Sequence, residues 1–307
     1  MPGMELTITS QGVGLPATLT LPKGPVRGGV VPLHGSHAGS RDFLLYEHLA
    51  QVLPARGIAV LRYDRRPSRS GRSVPFAEQA ADALAAMAVL RRHIPEMPVG
   101  LWGYSQGGWV APLAAANRPD EVAFLTLVSP VGVTPGAQMR YGLAQQLREN
   151  GFADRLGELS RFQDALEAYV RGTSDADTLR QEFAAAGRQP WWPLLGYDAG
   201  AADLFSVPPR ELWVDMDADL SDAYEAVRCP VLTLYGETDQ WLSIEDSTRL
   251  WREAAGRAGR PAPDVVRLAG CDHSPTIAAE GAEGGTVRIS PGYEQALLEW
   301  LDGVLRG

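Results

Sequence analysis

The chain of 307 residues carries 37 acidic against 28 basic side chains, a formal charge of −9, and is 45% hydrophobic and 21% charged. That composition fits a soluble globular protein built as one domain with a sizeable insertion; a generic nucleic-acid or anionic-membrane binder would need a basic face to displace counterions. Two cysteines, Cys229 and Cys271, stand far apart with no metal-type cluster, so neither a disulfide framework nor a zinc site is expected and a reducing compartment fits.

The opening MPGMELTITSQG lacks a charged segment followed by an apolar run, so no secretory signal is expected. No stretch approaches the roughly 18 uninterrupted apolar residues of a membrane helix. The expectation is a cytoplasmic protein without a membrane or nucleic-acid partner, and a homodimer is compatible with the sequence.

Glu5–Thr9 and Leu15–Leu21 predict an N-terminal antiparallel hairpin. Short apolar runs follow at Gly29–Leu33, Ile58–Tyr63, Val99–Trp102, Ala123–Val128, Val231–Tyr235 and Val265–Leu268. Such runs, bounded by Gly, Asp or Pro, predict parallel strands buried on both faces. Between them Tyr46–Arg56, Phe76–His93 and Gly107–Asn117 show helical spacing, which gives an α/β class with a mostly parallel twisted sheet flanked by helices. The alternation breaks between Val133 and Val227, where several helices are expected around the aromatic corner Trp191-Trp192-Pro193. The predicted division is a core of 1–133 and 227–307 and an inserted helical cap of 134–226 lying over the strand C-termini.

Gly103-Tyr104-Ser105-Gln106-Gly107 matches G-x-S-x-G, a weak pattern alone in a chain with 33 glycines. Its setting strengthens it: an apolar strand precedes it and a helix begins at Gly107. A sharp strand-to-helix turn exposes a serine hydroxyl, and flanking glycines allow strand and helix to approach closely. The helix N-terminus adds unpaired N–H groups for a developing oxyanion. Ser105 is therefore a candidate nucleophile.

A serine hydroxyl needs a base to take its proton. Of five histidines, His34, His37, His48 and His93 precede Ser105 and His273 alone follows it. The chain order serine, acid, histidine of this fold type selects His273, in Gly270-Cys271-Asp272-His273 after the last strand. Asp239, after Gly236-Glu237-Thr238 at the end of Val231–Tyr235, is the preferred acid, with Glu237 and Asp272 as alternatives. Backbone N–H groups of Gln106 and of Ser36 or His37 are the candidate oxyanion donors. His34 reads first as structural and second as a substrate contact.

Together HGS at His34–Ser36, RYD at Arg62–Asp64, GYSQGG at Gly103–Gly108, GETD at Gly236–Asp239 and CDH at Cys271–His273 resemble the α/β-hydrolase superfamily. Within it, the chain is most similar to bacterial serine hydrolases of the esterase, acyl-hydrolase and serine-aminopeptidase-like group. The resemblance implies a nucleophile at Ser105, an acid at Asp239, a base at His273, an acyl-serine intermediate, a small-molecule acyl substrate and no cofactor. Related sequences follow the Tyr-Asp strand end with a glycine-rich turn, whereas this chain has Arg65-Arg66-Pro67-Ser68-Arg69-Ser70-Gly71-Arg72. The loop reads as a solvated basic segment; alternatively Arg65, Arg66 or Arg69 grips a substrate carboxylate or phosphate. Trp191 and Trp192, with Trp213, Phe205 and Tyr197, suit either a pocket lining or cap packing.

The main expectation is a serine hydrolase of carboxylic esters or thioesters. An acyltransferase or biosynthetic cyclase with the same acyl-enzyme, and a non-hydrolytic lyase or ligand-binding protein, stay open as alternatives.

Overall fold

The computed structural model describes residues 3–36, 39–68, 72–197, 202–279 and 286–306. Strands β1 (Met4–Ser10) and β2 (Val13–Thr20) form the expected antiparallel hairpin. Its two-residue turn, Gln11–Gly12, has φ of 48° and 79°, the positive pair whose twist matches the flanking strands. Next come β3 (Gly28–Leu33), β4 (Ile58–Tyr63), β5 (Val99–Tyr104), β6 (Leu125–Val128), β7 (Val231–Gly236) and β8 (Asp264–Leu268). The eight strands make one sheet in the order β1-β2-β4-β3-β5-β6-β7-β8. β2 runs antiparallel to β4, and every pair from β4 onward is parallel. Every residue of β3, β6 and β7 is buried, as near-continuous apolar runs covered on both faces require.

Helices α1 (Leu44–Val52), α2 (Phe76–His93) and α3 (Gly107–Asn117) alternate with the first parallel strands. Between β6 and β7 lie α4 (Pro135–Glu149), α5 (Leu156–Val170), α6 (Ala176–Ala186), α7 (Pro209–Leu212) and α8 (Ser221–Ala226). A ribbon of β9 (Thr276–Ala278) and β10 (Val287–Ile289) follows α9 (Ile244–Arg257), and α10 (Pro291–Val304) closes the fold. The helix expected over Tyr46–Arg56 is α-helical only to Val52. Pro54, with no N–H to donate, turns Leu53–Arg56 into a 3₁₀ segment that ends at Gly57 with φ 78°.

The sheet separates two apolar cores. α1 and α10 cover one face through Tyr46, Leu49, Tyr293, Leu297 and Leu301. α2, α3, α8 and α9 cover the other, with Met87, Trp109, Tyr224 and Trp251 among the buried contacts. The insertion between β6 and β7 has its own small core around Leu143, Leu147, Leu159 and Phe162. Its last helix, α8, joins the core helices instead: the Tyr224 ring lies 4.5 Å from that of Trp251, and its hydroxyl donates to Val131 O at 2.9 Å. Among the described residues, no helix is long and apolar enough to cross a membrane.

Candidate active site

β5 passes into α3 through Ser105, whose φ of 50° places a non-glycine residue in the left-handed region. Such a conformation costs on the order of 1–3 kcal/mol and persists only where its surroundings enforce it. Here the Ser105 N–H donates to Val128 O at 2.9 Å and its carbonyl accepts from Gly108 N at 2.8 Å. The two glycines of the motif are sterically required. A Cβ on Gly103 would sit 2.5 Å from Gly107 O, and one on Gly107 would sit 2.9 Å from Leu33 O.

Ser105 Oγ lies 2.8 Å from His273 Nε2, and His273 Nδ1 lies 2.9 Å from Asp239 Oδ2. The three residues, from the ends of β5, β7 and β8, thus stand in one hydrogen-bonded line. The Asp239 side chain is 0% exposed and that of His273 18%, which leaves the acid dry and the imidazole edge reachable. The other Asp239 oxygen, Oδ1, accepts the Trp241 N–H at 2.8 Å, so both carboxylate oxygens are used. Glu237 is exposed, and exposed Asp272 accepts from Ser274 N at 2.8 Å, so neither alternative acid meets the imidazole.

Close packing binds the two loops that carry acid and base. A Cβ on Gly236 would fall 1.8 Å from Asp272 O, so no other residue fits there. Thr238 donates both its N–H (3.1 Å) and its hydroxyl (2.9 Å) to Cys271 O. From the end of β6, Ser129, also left-handed at φ 49°, donates its hydroxyl to His273 O at 2.8 Å. Tyr104, beside Ser105, shares a 2.9 Å hydrogen bond with Ser274 beside His273. Sequence reasoning missed Trp241, Ser129 and Tyr104 as supports; only their positions at strand ends next to the motif residues could have flagged them.

The loop after β3 approaches Ser105 from the other side. A Cβ on Gly35 would meet the Tyr104 ring at 2.9 Å, so the loop packs directly on the elbow. Among the described residues nothing accepts the N–H of Gln106 or of Ser36. His37 lies outside the described residues.

Three expectations about substrate contacts are corrected. His34 is buried edge-on between the rings of Tyr46 and Tyr63, with Nε2 2.8 Å from Tyr63 O. Burial pushes its imidazole down to about 3, so it is a neutral donor to that carbonyl and not a substrate contact. Trp191 and Trp192 pack inside the core of the insertion, 0% and 8% exposed, against Phe162, Phe183 and Tyr197. Arg65 points its guanidinium at Gly35 O, Ser36 O and the Gln106 side chain. Arg66 is locked to Asp82 and Glu78 at 2.5–2.7 Å. Neither arginine presents a free fork to a substrate anion. Arg69 lies outside the described residues.

α4 of the insertion docks beside the acid. Gln138 Nε2 donates to Trp241 O at 2.8 Å, Gln146 Nε2 to Gln240 Oε1 at 3.0 Å, and Gly142 lies against the Trp241 ring.

The parallel sheet, the strained serine between β5 and α3, and the acid and histidine on the loops after β7 and β8 define the class. The chain belongs to the Alpha/beta hydrolase family, whose sequence profile matches residues 30–282. It is 33% identical over 101 residues to a monoglyceride lipase of Rattus norvegicus, covering 31% of this chain and 33% of that one. It is 34% identical over 133 residues to lipase LipV of Mycobacterium tuberculosis, covering 43% and 48%. The chain thus spans about one third to one half of the length of these curated relatives. Among solved structures, Est1E from Butyrivibrio proteoclasticus superposes with a TM-score of 0.60 at 17% identity, covering 99% of this chain and 100% of that one. A thermostable carboxyl esterase from Bacillus coagulans gives 0.59 at 16% identity, covering 99% of each. These likenesses show the α/β-hydrolase fold.

Proposed function

We propose that the chain is a serine hydrolase that cleaves a carboxylic ester or thioester through an acyl-serine intermediate. The observation that carries this reading is the line Ser105 Oγ–His273–Asp239, with contacts of 2.8 and 2.9 Å, anchored on a left-handed serine. The names of the matched relatives, a monoglyceride lipase, a lipase and a carboxyl esterase, point the same way.

In this reading Ser105 Oγ attacks the acyl carbonyl while His273 Nε2 takes the hydroxyl proton. Asp239 accepts the Nδ1–H, which fixes the tautomer and stabilises the imidazolium. The Gln106 and Ser36 N–H groups, unpaired among the described residues, receive the oxyanion. Collapse expels the alcohol or thiol, which takes its proton from His273. Water, deprotonated by the same imidazole, then releases the acid and restores Ser105.

A panel of p-nitrophenyl esters of rising chain length, beside thioester and aminoacyl substrates, tests it together with fluorophosphonate labelling. Hydrolysis and stoichiometric labelling, both lost in Ser105→Ala, are the expected results. Absence of both in the wild-type protein would overturn the reading.

A further inference from the structure

We propose that Arg65 is a positioning residue for the oxyanion hole, holding the loop after β3 and the turn after Ser105 in a fixed mutual arrangement. The inference rests on the serine-hydrolase reading of the site.

Arg65 Nη1 donates to Gly35 O at 2.9 Å and to Gln106 Oε1 at 3.2 Å, while Nη2 donates to Ser36 O at 3.0 Å. Its own N–H donates to Gly39 O at 2.8 Å, closing the far end of the same loop. One planar fork therefore touches both structural halves that would supply oxyanion donors. Peptide planarity converts this into control of an N–H direction. In a trans peptide the carbonyl and the next N–H point opposite ways, so holding Gly35 O on the arginine side aims the Ser36 N–H away from it. On the other half, the bond to Gln106 Oε1 restrains the residue whose own N–H opens α3.

Charge adds to geometry. Arg66 is neutralised by Asp82 and Glu78, but among the described residues no carboxylate pairs with Arg65. A half-buried guanidinium without a counter-ion leaves net positive potential beside the place where negative charge would develop. A preorganised donor set in a site shielded from water stabilises such charge far more than one that must first reorient. A lysine could supply the charge but not the two-pronged fork.

The test compares wild type, Arg65→Met and Arg65→Lys on p-nitrophenyl butyrate, with each rate divided by the serine titrated by fluorophosphonate. A trifluoromethyl ketone of matched chain length, which forms a serine-bound oxyanion, is the second probe. Arg65→Met is expected to lower kcat per titrated serine about 10- to 100-fold, with KM within about threefold. Ketone affinity is expected to fall by a similar factor, and Arg65→Lys to fall between the two. A merely structural arginine would lower the titratable fraction and leave the rate per serine unchanged. Rates per serine within threefold of wild type in both variants, or a loss confined to KM, would overturn the inference. If Arg65→Met yields no titratable serine, Arg65→Lys carries the same comparison alone. Wild-type protein that neither hydrolyses the ester nor takes the label overturns the underlying reading and this inference with it.

Discussion

Trp241 donates its backbone N–H to Asp239 Oδ1 at 2.8 Å, while its carbonyl accepts from Gln138 of α4 at 2.8 Å and its ring packs on Gly142 of that helix. The acid that orients His273 is thus held by a residue that the inserted segment itself holds. Docking of α4 and alignment of the candidate triad are one structural event.

Gly142→Ala tests that coupling, because its Cβ would lie 2.5 Å from the Trp241 ring. In an uncoupled helix, alanine in place of glycine would stabilise by about 1 kcal/mol. Here a loss of about 1–3 kcal/mol is expected from overpacking, with kcat for p-nitrophenyl butyrate down about tenfold as Trp241 shifts. Thermal unfolding and steady-state kinetics measure both; a stabilised, fully active variant would show that Asp239 is held without α4.

Ser105 carries backbone strain at the candidate nucleophile position, with φ of 50°. Ser105→Ala is expected to lower kcat by about 10⁴-fold or more, yet it keeps a Cβ at φ 50°. Ser105→Gly, equally inactive, releases that strain and is expected to be more stable than Ser105→Ala by about 0.5–1 kcal/mol. Urea unfolding of the two inactive variants decides it, and equal midpoints would mean that the left-handed serine is unstrained.

The Arg66–Asp82 pair is a buried structural unit with Nε–Oδ2 at 2.7 Å and Nη2–Oδ1 at 2.5 Å. Asp82→Ala removes two of the buried guanidinium's contacts and leaves it only Glu78 and Gln11, and is expected to destabilise the protein by about 3 kcal/mol. The double change Arg66→Met with Asp82→Leu should recover most of that. KM for acidic and neutral esters should be alike in the double variant and in wild type; a selective rise for acidic esters would return Arg66 to the substrate.

His34 links stability to acid. Its folded value of about 3 lies below the unfolded value near 6.5, so between these limits the unfolded chain binds a proton that the folded one refuses. The stabilisation from keeping His34 neutral is therefore complete above about pH 6.5 and lost as pH falls toward 3, about 2 kcal/mol of it by pH 5. His34→Gln retains an N–H donor for Tyr63 O without titrating. Its unfolding free energy should fall less between pH 7 and pH 5, by about that amount; parallel slopes in urea titrations would contradict it.

The sheet and the three residues of the hydrogen-bonded line were readable because both leave side-chain patterns. Runs such as IAVLRY mark doubly covered strands, and one histidine downstream of Ser105 left little choice of base. The contacts made by Arg65 left no such trace, since its acceptors are mostly backbone carbonyls some thirty residues away, and any residue has a carbonyl. Trp191 and Trp192 looked equally suited to a pocket and to packing, because an apolar side chain does not record which apolar surface it meets. Burial inside the core of the insertion decided between them. The short ribbon β9–β10 also escaped notice, being only three residues per strand with none of them buried.

Strand β6 contributes none of the three candidate catalytic groups, yet it lies between β5, which presents Ser105, and β7, which presents Asp239. Two steps across a sheet span about 9.5 Å, a gap of the order that an imidazole with hydrogen bonds of 2.8 and 2.9 Å can bridge. The four residues of β6 therefore act as a molecular spacer gauge, setting the Ser105 hydroxyl and the Asp239 carboxylate one histidine apart. A register slip in Leu125–Val128 would break the line Ser105–His273–Asp239 without altering any atom in it.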